Sequence, residues 1–178
     1  MSFDSTYEKT HELRFDRSLK FLQDFAAAPT RILDIGPDNP MSELMRSNGY
    51  EVTNTSPGID LDFDLSDLES NEYDIVTAFQ VLEHMVNPFG LLRAIKCDRL
   101  VASVPLSLWF NKAYWNESDP FDRHYHEFED RQFDMLLEKS GWEIVKREKW
   151  NGVTSKIGFR PFLRRITPRH YIVACTRK

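Results

Sequence analysis

With 178 residues, 41% hydrophobic and 29% charged, the chain has the size and balance of a single domain burying one core. It has no apolar run of about 18 residues, and charge is scattered through Met1 to Phe25, so neither a membrane span nor a secretory signal is expected and a cytoplasmic place follows. The net charge of -5 is uneven: 28 acids face 16 bases over residues 1–150, whereas residues 151–178 hold seven bases and no acid. That distribution argues against a general nucleic-acid coat and for one local anion-seeking patch.

Residues 1–28 read as a polar helical arm packing through Leu19, Phe21, Leu22 and Phe25 and ending at Ala26 to Pro29. The core, residues 29–150, opens with the buried-strand run Ile32, Leu33, Ile35, and a helix starts at Asn39-Pro40, a good N-cap followed by proline at the first helical position. Ligands of open α/β sheets sit beyond the carboxyl ends of strands, so Asp34 and Gly36 stand where one would bind. The turn holds one glycine, and Pro37 and Pro40 remove two N–H donors from it.

Tyr50 to Thr55 reads as a second strand, broken by Ser56-Pro57-Gly58. Ile59, Leu61 and Phe63 alternate with Asp60, Asp62 and Asp64, predicting a short third strand with one wet face. Tyr73 to Phe79 is a fourth strand, leading to a helix at Val81 to His84 and another through Leu91, Leu92 and Ile95. Arg99 to Val104 is a fifth strand.

Leu106 to His126 is too long for an ordinary connection and is rich in aromatics, which suits a lid or binding loop. A helix carrying Phe133, Leu136 and Leu137 stops at Gly141, and Trp142 to Trp150 and Arg169 to Arg177 read as closing strands. Between them a basic link, residues 151–168, places Phe159, Phe162, Leu163 and Ile166 at helical spacing among Arg160, Arg164 and Arg165. Pro161 and Pro168 limit any helix there to under two turns, and two readings stay open: packing of a link, or contact with an anionic lipid surface or phosphorylated substrate. Strands alternating with helices predict a mainly parallel sheet with an antiparallel edge. Cys97 and Cys175 read as reduced packing thiols.

Three stretches carry a family resemblance: Ile32-Leu33-Asp34-Ile35-Gly36, Tyr73 through His84 with its Val-Leu-Glu-His helix, and His126-Glu127-Phe128 ahead of Leu136 to Glu143. Together they resemble the class I S-adenosylmethionine-dependent methyltransferases of the small, stand-alone type. The resemblance implies a Rossmann-like methyltransferase fold, α/β, with a mainly parallel seven-stranded sheet, an antiparallel edge strand and flanking helices in one domain whose last strand is residues 169–178.

Carried over by position, the resemblance implies S-adenosylmethionine as cofactor, with Asp34, Gly36 and Asp38 at its methionine end and Asn54 at its ribose. Asp64 and Leu65 would lie beside the adenine, and Phe79 and Gln80 would face the sulfonium. Asn54 stands where this family normally has an acid, and asparagine lacks the charge assistance of a carboxylate.

The function implied is methyl transfer to an oxygen or nitrogen of a small or lipid-linked acceptor. Should the acceptor need a base, His84 or His124 is the candidate, since histidine takes a proton near neutral pH. Trp109, Trp115, Arg123, His126 and Arg164 are the candidate acceptor contacts, with packing or pinning of the loop as the plainer reading of the aromatics and of His126. Histidines with no Cys or acid at ligand spacing lead us to expect no metal site. The alternative is a binding or regulatory protein that keeps the fold but has lost tight cofactor binding. A nicotinamide oxidoreductase lacks support, because Gly-x-Gly-x-x-Gly is absent.

Overall fold

The computed structural model describes residues 5–70, 72–152 and 158–178, with side chains from His11 onward. Residues 1–4 of the arm and 153–157 of the basic link therefore lie outside the described residues. Helices are α1 (Ser5–Phe25), α2 (Pro40–Ser47), α3 (Pro88–Ala94), α4 (Asp130–Lys139) and α5 (Phe159–Ile166). Strands are β1 (Arg31–Asp34), β2 (Glu51–Asn54), β3 (Ile75–Phe79), β4 (Arg99–Pro105), β5 (Trp142–Asn151) and β6 (Pro168–Arg177). Among the described residues they form one sheet ordered β2-β1-β3-β4-β6-β5. The first four are parallel, whereas β6 runs antiparallel between β4 and β5.

Both faces of the central sheet are covered, which is why its strands read as unbroken apolar runs. Ile32, Ile75, Val101, Ile172 and Ala174 pack with Phe21 and Leu22 of α1 and Met41 and Met45 of α2. Leu33, Val76, Leu100, Ala102 and Val173 point to the other face, against Leu91, Leu92, Phe133 and Leu137. Trp142 is fully buried, its indole N–H donating to the Leu92 carbonyl at 3.0 Å and the Arg177 guanidinium 3.9 Å from its ring centroid.

Two expectations fail. The third strand, Ile59 to Phe63, is a turn, so the described sheet has six strands and not seven. Its acids serve local backbone instead: Asp62 accepts from the Val86 and Asn87 amides at 2.8 and 2.7 Å, Asp60 from the Asp62 amide at 3.0 Å, and Phe63 is 89% exposed. The link also holds a longer helix than expected, because Pro161 falls in the first turn of α5, where its missing N–H has no intrahelical partner to lose. Both cysteines are free thiols.

Candidate functional site

The carboxyl ends of β1, β2 and β3 meet at a turn built around one buried acid. Asp34 accepts from Thr77 Oγ1 at 2.6 Å on one oxygen, and from Ser42 Oγ at 2.8 Å and Asn54 Nδ2 at 3.2 Å on the other. Burial pushes its carboxyl upward, and the donated bonds from Thr77, Ser42, Asn39 and Asn54 oppose that push. Asp34 thus ties β1, β2, β3 and α2 into one turn. Gly36 follows with φ +115°, a backbone that an L side chain rarely adopts, and its amide donates to Thr55 Oγ1 at 2.9 Å. Asn39 caps α2, its side-chain oxygen accepting from the Met41 and Ser42 amides at 2.8 and 3.2 Å.

Across from that turn, β3 ends in Phe79 and Gln80. Gln80 has φ +57°, uncommon for a residue with a side chain, and is held by its amide on the Ser103 carbonyl at 2.9 Å and by Nε2 on Ser103 Oγ at 3.2 Å. The chain then makes one tight 3₁₀ turn, Leu82–His84, where a helix beginning at Val81 was expected.

A cavity of about 830 Å³ opens between these two strand ends. Arg14 and Phe15 of α1 lie over it, Tyr114 and His124 come from the long loop, and Arg169 and His170 from β6. Glu83 and His84 form its far wall. Glu83 is 1% exposed, and its Oε2 has no hydrogen-bond partner among the described residues. Desolvation drives its carboxyl up to about 8. His84 is pushed below the usual imidazole range by burial and then by His124.

The loop is pinned to this turn. The Tyr125 and His126 amides donate to the Glu83 carbonyl at 2.8 and 3.2 Å, and His84 Nδ1 lies 3.1 Å from the Arg123 carbonyl. His124 Nδ1 lies 2.8 Å from Glu127 Oε1, and the two imidazoles meet edge to face with centroids 4.8 Å apart. A carbonyl and a carboxylate only accept, so each Nδ1 carries a proton, and the neutral form of either ring has its lone pair on Nε2.

Of the residues singled out in the sequence, Asp34, Gly36, Phe79, Gln80, His84 and His124 line the cavity together. Others do not. Asp38 is exposed and paired with Arg46 at 3.0 Å. Asn54 is turned inward, its amide donating within 3.0–3.4 Å to Ser42 Oγ, Asp34 Oδ2 and the Gly36 and Pro37 carbonyls while its oxygen accepts from Arg46. Asp64 binds its own turn through Ser66, and Leu65 packs at the core's edge.

Among the candidate acceptor contacts, Trp109 is 77% exposed. Arg123 lies over Trp115 at 4.7 Å and donates to the Asn116 carbonyl, so the pair braces the loop. His126 stacks on Phe128 beside the Val86 carbonyl, and Arg164 is exposed on α5. None of the five lines the cavity.

Glu83 and the covering residues of α1 were missed. The Glu-His pair signalled Glu83, but its burial beside a histidine 41 positions on could not be read from spacing. His11, Phe15 and Ser18 share a helical face, yet nothing in the sequence says what that face covers.

An open parallel sheet with a cavity beyond its strand ends, entered by a glycine turn and a helix start, defines the nucleotide-cofactor class of α/β domain. The particular family follows from comparison with known proteins. A family profile described as a methyltransferase domain matches residues 7–147, and the chain belongs to that family, whose cofactor is S-adenosylmethionine.

Solved structures share the fold at low identity. The Burkholderia thailandensis 1,6-didemethyltoxoflavin-N1-methyltransferase, crystallised with 1,6-didemethyltoxoflavin and S-adenosylhomocysteine, aligns with a TM-score of 0.68 at 16% identity, covering 98% of this chain and 84% of that one. A SAM-dependent methyltransferase from Archaeoglobus fulgidus gives 0.58 at 17%, covering 98% and 100%. The [4+2]-cyclase SpnF gives 0.54 at 13%, covering 91% and 80%. No curated protein matches the sequence.

The residues present fit the cofactor at one end. Gly36 and the left-handed Gln80 both line the cavity, which at about 830 Å³ has room for a nucleoside-sized ligand and a second molecule. At the ribose end the carried-over residue does not serve, because Asn54 is committed to the turn.

Proposed function

We propose that the protein transfers a methyl group from S-adenosylmethionine to an oxygen or nitrogen of a small acceptor. The observation that carries this reading is one continuous cavity joining the Gly36 turn and the β3 end, Phe79-Gln80, to the paired imidazoles of His84 and His124. When bound, the cofactor supplies an activated methyl group, so the protein's part is alignment and exclusion of water. Asp34 holds the turn without touching the reacting atoms. Phe79 and Gln80 form the wall where donor and acceptor meet, and the His84–His124 pair takes the acceptor end. Phe15 and Tyr114 close the cavity from above and from the loop side.

The test is thermal stability of the purified chain with S-adenosylhomocysteine, S-adenosylmethionine and NAD. A ligand that binds the folded state alone stabilises by about 2.7 kcal/mol at a hundredfold excess over Kd, or several degrees for a chain of this size. The two adenosyl ligands are expected to raise the melting temperature and NAD to leave it unchanged. Equal shifts with all three, or none at millimolar ligand, overturn the reading. The engaged Asn54 favours a second reading, a binding protein with weak cofactor affinity, which predicts no heat in a titration with S-adenosylhomocysteine.

A further inference from the structure

Glu83, His84 and His124 form a three-ligand set that the proposed reaction has used only in part. One ligand atom from each lies within 4.8 Å of the other two, and Glu83 Oε1 is 3.9 Å from His84 Nε2. Such spacings need contraction by about 1 Å to suit metal–nitrogen and metal–oxygen bonds near 2.1 Å. Three features go beyond mere proximity. Both imidazoles donate Nδ1–H outward, one to the Arg123 carbonyl and one to the Glu127 carboxylate, which is how metal-binding histidines are commonly oriented. The Nε2 lone pairs are thereby left for a ligand.

Glu83 adds the second feature, a fully buried carboxyl with one oxygen lacking any partner among the described residues, on the wall of an otherwise reachable cavity. A buried polar atom is costly unless something satisfies it. The third is rigidity. Amides of Tyr125 and His126 fasten the loop to the Glu83 carbonyl, so histidine and acid from distant parts of the chain are held together by the backbone.

We propose that Glu83, His84 and His124 bind one divalent transition-metal ion at the acceptor end of the cavity. Two imidazoles and one carboxylate, with the remaining positions open, suit zinc, cobalt or iron(II) better than magnesium. This inference rests on the methyltransferase reading for its purpose and not for its existence. An acceptor hydroxyl reaching the open side of the ion becomes more acidic. Its O–H proton passes to solvent, its oxygen forms the bond to the methyl carbon, and the carbon–sulfur bond breaks with its electron pair going to sulfur. The products are a methyl ether and a neutral thioether, and the ion is unchanged.

The experiment is calorimetric titration of the chelator-stripped full chain with Co²⁺, Zn²⁺ and Mg²⁺, with no adenosyl ligand present, alongside the visible spectrum of the Co²⁺ form. One ion per chain is expected, with Co²⁺ and Zn²⁺ tighter than Mg²⁺. Glu83→Gln and His124→Ala should each weaken Co²⁺ binding at least tenfold, and Glu127→Gln, whose carboxylate orients His124 without being a ligand, by about tenfold. Melting curves check that each variant folds, and His84→Asn replaces Glu83→Gln if the latter does not.

No saturable binding by the wild type, or equal binding by the folded variants, overturns the site. A separate titration with S-adenosylhomocysteine keeps the two readings apart. Metal without adenosyl binding retains the site and removes the methyltransferase reading, and the converse removes the site alone.

Discussion

Asn54 shows how a residue's type and position can be read correctly while its direction is not. The sequence places it at the end of β2, and there it is, paired in register with Asp34. As a cofactor contact it would face the cavity. Instead its amide satisfies Asp34 and two carbonyls of the turn, a role that needs a donor and that no carboxylate can fill. The prediction for Asn54→Asp is therefore a loss and not a gain: the donated bonds vanish, and a second carboxylate arrives about 3.2 Å from a buried one. Leaving such partners unsatisfied costs about 1–3 kcal/mol, before the like-charge term is added. The melting temperature of the variant should fall by several degrees, and an unchanged value would show that the amide is not needed there. Asp34, Gly36, Phe79 and Gln80 were legible because strand ends locate a cavity whatever the side chains do. Glu83 was not, since burial of an acid is a tertiary fact.

At the scale of elements, the closing strands β5 and β6 and the capped helices α2 and α4 were legible within a residue or two, because buried periodicity, Asn39-Pro40 and Gly141 are local signals. The failure at Ile59 to Phe63 has a local cause as well. Alternating Asp produces period two, yet Asp side chains also satisfy nearby amides, and that competing use won at Asp60 and Asp62. The long loop was correctly singled out, but its aromatics brace each other, while its contact with the cavity runs through Tyr114, Asp122 and His124. Glu127 is the knot that holds it: the carboxylate accepts from the Tyr114 amide at 3.1 Å, His124 Nδ1 at 2.8 Å and Arg169 Nη1 at 3.3 Å. Glu127→Ala is expected to cost about 1–3 kcal/mol, chiefly as local opening. Limited proteolysis should then cut within residues 106–126 at least tenfold faster while the far-ultraviolet dichroism of the sheet stays constant. Unaltered cleavage would assign the loop's order to other contacts.

For the whole molecule, the response to acid depends on which buried groups must change charge for the chain to unfold. His170 on β6 is 8% exposed, stacked on Trp150 at 5.2 Å, and its Nδ1 has no partner among the described residues. Burial, with the positive charges of Arg14, Arg169, His11 and Arg17 around it, lowers its imidazole to about 3. In the unfolded chain the same group titrates near 6.5. The unfolded state therefore binds the extra proton first, so the contribution of His170 is intact above about pH 6.5 and is lost as pH falls toward 3. Each pH unit in that window removes about 1.4 kcal/mol, and between pH 7.5 and 5.5 the loss is also about 1.4 kcal/mol because the first unit lies above the unfolded pKa. His170→Phe keeps a ring against Trp150 and cannot titrate, and groups not coupled to it cancel when the two proteins are compared. Urea unfolding of both at pH 7.5, 6.5 and 5.5 should show the wild type losing ground to the variant steadily toward acid. A constant difference across the three values would mean that His170 takes up its proton in the folded state as readily as in the unfolded one, and that its burial among cations does not govern the acid limb.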